Sequence, residues 1–109
     1  MEIKISRKRL AKVLNSSKEI RKKYGESAPR IQNRLYQIWS AKNLEELMRL
    51  PGNHHPLKGD RSGYFACSLK HPLRLVYRPA NEPLPLDEDN SIVYSRVTII
   101  EIVEIIDYH

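Results

Sequence analysis

Three places in the chain carry side chains that can move protons or neutralise phosphate charge. The first is the stretch HHPLKGDRSGY, which holds His55, Lys58 and Arg61. The second is Arg74, set between Leu73 and Leu75 in an alternating run. The third is the C-terminal IIDYH, where Asp107, Tyr108 and His109 follow a run rich in isoleucine and valine. Histidine ordinarily exchanges protons near neutral pH. Lysine and arginine stabilise charge that develops in a transition state. Each feature also has a plain alternative: a loop that only turns the chain, a surface arginine whose stem covers a neighbour, and a frayed tail.

Together the three suit one reaction. Cleaving RNA without a metal requires the 2′-hydroxyl to be deprotonated, the phosphorane charge to be stabilised and the 5′-oxygen to be protonated. Lys, Arg, Tyr and His can divide those tasks among them. What is missing points the same way. There is no Gly-rich phosphate loop, no cysteine pair and no HExxH pattern. His54 and His55 are adjacent, and neighbours in sequence rarely ligate one metal together. No metal and no cofactor is expected.

The charge balance suggests what such a site acts on. The chain has 109 residues and a formal net charge of +6, with an isoelectric point near 9.6. Between Lys4 and Lys23 there are nine basic residues, and Glu19 is the one acid. A basic face of this kind fits a polyanion, most simply nucleic acid, with a merely solvated helix face as the alternative. Lys12, Lys22 and Lys23 are its candidate contacts. The opposite bias sits in PANEPLPLDEDN, which has four acids and no base. Cys67 is alone, so no disulfide framework is expected. The N-terminus MEIKISRKRL has no apolar signal-peptide core, and no stretch is apolar for the length of a membrane span. These features lead to the expectation of one domain over residues 1–109, in the cytoplasm and with no membrane partner.

The elements that must position these residues follow from periodicity. EIKIS reads as a short strand. Leu10, Val13, Leu14, Ser17, Ile20 and Tyr24 have helical spacing, which predicts one helix over 7–23 ending near Gly25. A second helix begins at Ser27, with Pro29 in its first turn and Ile31, Leu35, Ile38 and Trp39 on its apolar face. The short link makes the two an antiparallel hairpin. Asn43 and Glu46 have capping-box spacing for a short third helix or turn. SGYFACSL and PLRLVYR then alternate as two strands of a β-hairpin. Leu73, Leu75 and Tyr77 share one face of the second strand; Arg74, Val76 and Arg78 share the other. Residues 79–90 read as a long solvated loop. The last segment is one long strand, or two broken near Ser95-Arg96, with a central place in the sheet. The expected fold is α+β: an N-terminal strand and a helical hairpin packed on a small, mainly antiparallel β-sheet.

HPLKGDRSGYF, followed by RLVYR and a terminal DYH, resembles the HigB branch of the RelE/ParE toxin superfamily, the plasmid-maintenance killer proteins. The resemblance covers roughly residues 55 to 78 and again 107 to 109. The helical half matches in pattern rather than in letters. The resemblance implies a RelE/ParE-like fold and a type II toxin: a ribosome-dependent mRNA endonuclease that needs no metal and inhibits growth. It implies partners too, namely the ribosome, mRNA and a helix-turn-helix antitoxin of the HigA kind. The family's catalytic lysine falls on Lys58, its strand arginine on Arg74, and its terminal pair on Tyr108 and His109. His55, Arg61 and Asp107 become accessory candidates, and Lys12, Lys22 and Lys23 candidate rRNA contacts. Two departures stand out: the long acidic segment 79–90, and Leu73 where an aromatic often precedes the strand arginine.

Two other readings compete. A gyrase-targeting toxin of the ParE kind binds a protein and cuts nothing. A nucleic-acid-binding module without catalysis keeps salt-dependent binding after Arg74 and His109 are lost.

Overall fold

A computed structural model describes residues 1–107 of the chain. Tyr108 and His109 lie outside the described residues. Five strands form one sheet in the order β1-β5-β4-β3-β2: β1 Glu2–Ile5, β2 His55–Pro56, β3 Phe65–Ser68, β4 Leu73–Pro79 and β5 Ile99–Asp107. The β1–β5 pair is parallel and the others are antiparallel. Four helices, α1 Lys8–Leu14, α2 Ser17–Tyr24, α3 Ala28–Ser40 and α4 Leu44–Leu47, fill the chain between β1 and β2. The fold is the α+β arrangement expected from sequence.

The core lies between the helices and one face of the sheet. Leu14, Ile20, Ile31, Ile38, Leu44 and Leu47 meet Phe65, Cys67, Leu75, Tyr77, Ile100 and Ile102 there. The alternation of β4 holds, with Leu75 and Tyr77 completely buried on that face. β5 lies between β1 and β4, as its isoleucine content suggests. Its other face is not apolar, however, because it carries Glu101 and Glu104.

The basic segment is two helices rather than one. The chain breaks at Asn15-Ser16, and the Ser16 hydroxyl accepts from the Glu19 amide at 3.2 Å to cap α2. That bond gives the backbone an alternative to continuing the helix. Ser16 and Glu19 have capping-box spacing, a readable signal. Ser27 makes no side-chain cap, because the 3-10 turn Gly25–Ser27 runs straight into α3. Trp39 is 64% exposed and stacks near Tyr36. In its place α3 buries Arg34 and Gln37, which donate to the carbonyls of Ser68 and Pro51 at 2.8 and 2.9 Å. Asn43 caps α4 as expected, accepting from the Glu46 amide at 2.9 Å.

The last segment is a strand only from Ile99, after a 3-10 turn at Tyr94–Arg96. The acidic segment is pinned at both ends. The Asn81 carboxamide oxygen accepts from the amides of Thr98 and Ile99 at 3.0 and 3.1 Å. Leu86 bridges Ile92 around a turn in which Asp87 accepts from the amides of Asp89 and Ser91.

Candidate active site

The face of the sheet turned away from the helices is laid out by the strand register. Residues paired across antiparallel strands point the same way. One row runs His55, Ala66, Val76, Glu104; the next is Ser68, Arg74, Ile106; on the other side lie Arg78, Glu101 and Lys4. A regular strand would turn Glu104 toward the core. The register shifts between Val76 and Tyr77, so that Val76 faces Glu104 while Tyr77 faces Ile102. Val103 is the extra residue of this bulge, and it turns Glu104 onto the same face as Glu101.

His54 and His55 divide between the two faces. His54 is buried, with Nδ1 2.8 Å from the Tyr77 hydroxyl and Nε2 2.8 Å from the Gln37 carboxamide oxygen. Burial, with the nearby Arg34 charge, pulls its pKa down to about 4. It is therefore a neutral core residue. His55 lies on the open face, its Nδ1 2.7 Å from the Asn53 carbonyl. Cys67 is buried too, and burial pushes its thiol up to about 12, which leaves it no nucleophilic use near neutral pH.

Lys58 opens the loop that follows β2. Its side chain is exposed, and its carbonyl accepts from the Arg61 amide at 3.3 Å, within the 3-10 turn Gly59–Arg61. Gly59 and Gly63 have φ of +65° and +92°, which residues with a Cβ rarely adopt. Leu57 donates to the Tyr64 carbonyl at 2.8 Å and closes the neck of the loop. From there Arg61 reaches Glu104 on β5, with Nη2 2.9 Å from Oε2. Its path crosses β3 and β4, where Ala66 and Val76 form a fully buried floor. The Tyr64 ring lies between two guanidinium groups, 5.5 Å from Arg61 and 5.9 Å from Arg78.

Arg74 is half-buried near the start of β4. It faces Ile106, one position from the Leu73–Asp107 pair. It also lines a cavity of about 320 Å³ with Arg30, Ser68 and His71. Two residues along a strand separate it from Val76 by about 6.6 Å. The open face thus gathers Arg74, Arg61 and His55, with the Lys58 loop at the β2 edge, whereas Asp107 pairs with Leu73 and shares the opposite face at the end of β5. Lys12, Lys22 and Lys23 are exposed on α1 and α2, helices that pack on the opposite, core face. Among the described residues no group of three His, Cys, Asp or Glu is placed to hold a metal ion. No described helix is long and apolar enough to cross a membrane.

Sequence reasoning missed Glu101, Glu104 and Tyr64. Two acids within IIEIVEII, an otherwise apolar strand, were a visible signal. Their spacing of three points to opposite faces unless a bulge intervenes.

No protein-family model matches the chain. A curated relative, the endoribonuclease HigB of Proteus vulgaris, is 38% identical over 52 residues. That match covers 48% of this chain and 56% of the relative, so the chain spans little more than half of the protein it matches. Two solved structures share the fold over its whole length. A YoeB/ParE toxin from Agrobacterium tumefaciens aligns with a TM-score of 0.61 at 14% identity, covering 100% of both chains. The YoeB dimer from Staphylococcus aureus aligns with a TM-score of 0.55 at 21% identity, covering 100% of this chain and 97% of that one. The chain thus shares the fold of these toxin structures over its whole length, and about half of it is similar in sequence to the HigB endoribonuclease.

Proposed function

We propose that this protein is the toxin of a type II toxin–antitoxin pair. On this reading it is an endoribonuclease that cleaves mRNA on the ribosome, without a metal ion, in the cytoplasm. The observation that carries the reading is the similarity to HigB endoribonuclease. The placing of Arg74 and the Lys58 loop on one open sheet face, with the end of β5 beside Arg74, supports it.

Arg74 and Lys58 would neutralise charge on the pentavalent phosphate as the 2′-oxygen attacks. Tyr108 and His109 would pass the protons, one taking the 2′-hydroxyl proton and the other giving one to the departing 5′-oxygen. Both follow directly on Asp107, which is paired with Leu73 beside Arg74. The products would be a 2′,3′-cyclic phosphate and a free 5′-hydroxyl. The open face is shallow, so the ribosome would supply the remaining walls around the RNA. Lys12, Lys22 and Lys23 would contact rRNA. A helix-turn-helix antitoxin of the HigA kind would hold the toxin inactive.

Induced expression followed by primer extension on cellular mRNA tests the reading. Growth arrest with new 5′ ends within translated frames is expected, while naked mRNA is cut little. Deleting His109, or replacing it by Gln, should suppress the cuts. Intact mRNA with stalled replication would instead favour a gyrase-directed toxin, and normal growth during soluble expression would remove the toxin reading.

A further inference from the structure

The Arg61–Glu104 ion pair joins two parts of the fold that the proposed chemistry needs at a set separation. Arg61 belongs to the loop that presents Lys58; Glu104 belongs to the strand that ends beside Arg74. We propose that this pair is a latch over the open face, and that Glu104 is a positioning residue for RNA cleavage. The inference rests on the proposed endoribonuclease activity for its kinetic part only.

Three observations carry it. The bulge at Val103 sacrifices regular pairing in a central strand, and its result is a carboxylate on the open face instead of in the core. Bulges of this kind re-aim side chains beside functional sites. Next, the Lys58 loop is tied to itself more than to the sheet. The Lys58 carbonyl holds the Arg61 amide, the Gly59 carbonyl holds the Ser62 amide, and the Arg61 carbonyl holds the Tyr64 amide. A loop closed in this way moves as a unit about its neck at Leu57 and Tyr64. Third, Arg61 spans the sheet from the β2–β3 edge to β5 and is braced against the Tyr64 ring. Its guanidinium is planar, so its direction is set at both ends. Around the pair lies a cavity of about 250 Å³ lined by Arg7, Asp60, Arg61, Tyr64, Val103 and Glu104. That space lets the loop swing once the pair is broken. Lys58 would then keep its charge and lose its place.

The test combines kinetics with hydrogen exchange on the full chain. Cleavage of ribosome-bound mRNA is compared for wild type, Glu104→Gln, Arg61→Glu and the exchanged pair Arg61→Glu with Glu104→Arg. Glu104→Gln is expected to lower kcat about tenfold with KM little changed, because misplacement of a catalytic group acts on the chemical step. The exchanged pair is expected to recover most of the loss. Amide exchange over residues 58–64 should speed up in Glu104→Gln and return to normal in the exchanged pair. Wild-type kcat in Glu104→Gln, or an exchanged pair no better than the worse single variant, overturns the positioning role. Unchanged exchange in Glu104→Gln overturns the latch itself. If wild type cleaves no RNA, the endoribonuclease reading fails, and the exchange measurement still decides whether Glu104 holds the loop.

Discussion

The Nε of Arg78 lies 2.6 Å from Oε1 of Glu101, a carboxylate that is 9% exposed on the open face of the sheet. Ser6 donates to the other oxygen of Glu101. The Ser6 hydrogen bond, together with Arg78 and Lys4, holds this carboxyl below the usual range. Arg78 also lies against Tyr64. From sequence it reads as a solvated residue at a strand end, and half of its side chain is indeed exposed. Its other half supports a nearly buried charge.

Arg78→Ala is therefore expected to act on stability. Loss of the pair should cost about 1 kcal/mol, because a partly buried carboxylate loses its hydrogen-bonded cation while keeping the Ser6 bond. Chemical denaturation checks this, with single-turnover cleavage alongside. Lower stability and nearly wild-type kcat is the expected result; the opposite pattern would put Arg78 into the chemistry.

Arg74→Ala and Lys58→Ala should behave the other way round. A group that stabilises transition-state charge is worth about 2–4 kcal/mol in rate. Toxicity and mRNA cleavage should vanish while the circular dichroism spectrum and denaturation midpoint stay near wild type. Equal loss from Arg74, Lys58 and Arg78 would describe a diffuse basic surface.

His54 predicts a pH dependence of folding. Its pKa is about 4 in the folded protein and near 6.5 when exposed. As pH falls between those values, the unfolded chain binds a proton that the folded protein does not, so stability falls. The full span amounts to roughly 3 kcal/mol. Glu101 adds to the loss at lower pH, because its folded pKa is depressed and its stabilisation disappears as pH falls through that value. Urea titrations from pH 4 to pH 7 should show this slope in wild type, and His54→Gln should flatten it.

Charge reversal of Lys12, Lys22 and Lys23 should weaken ribosome binding and shallow its salt dependence, since each lost phosphate contact removes a released counterion. Sedimentation with ribosomes over a salt series checks it. An unchanged affinity and slope would show that α1 and α2 face solvent.

Sequence by itself determined the α+β class, the alternation of β4 and the inner place of β5. Those follow from local periodicity and isoleucine content, which depend on no distant partner. It also singled out the HPLKGDR loop and Arg74, because charged residues in a turn and in mid-strand are visible without a structure. The break at Ser16 was legible as well, from the Ser16–Glu19 spacing. Tertiary structure alone decided the rest. The bulge at Val103 depends on how β5 is paired with β4, and it reverses the facing of Glu104. Trp39 is exposed because Arg34 and Gln37 find backbone carbonyls to bind on the buried side of α3. His54 and His55 look alike in sequence and differ only because one lies just before β2 and turns into the core while the other, in β2, faces the open side. Pairing across the sheet is non-local, so no window of sequence contains it.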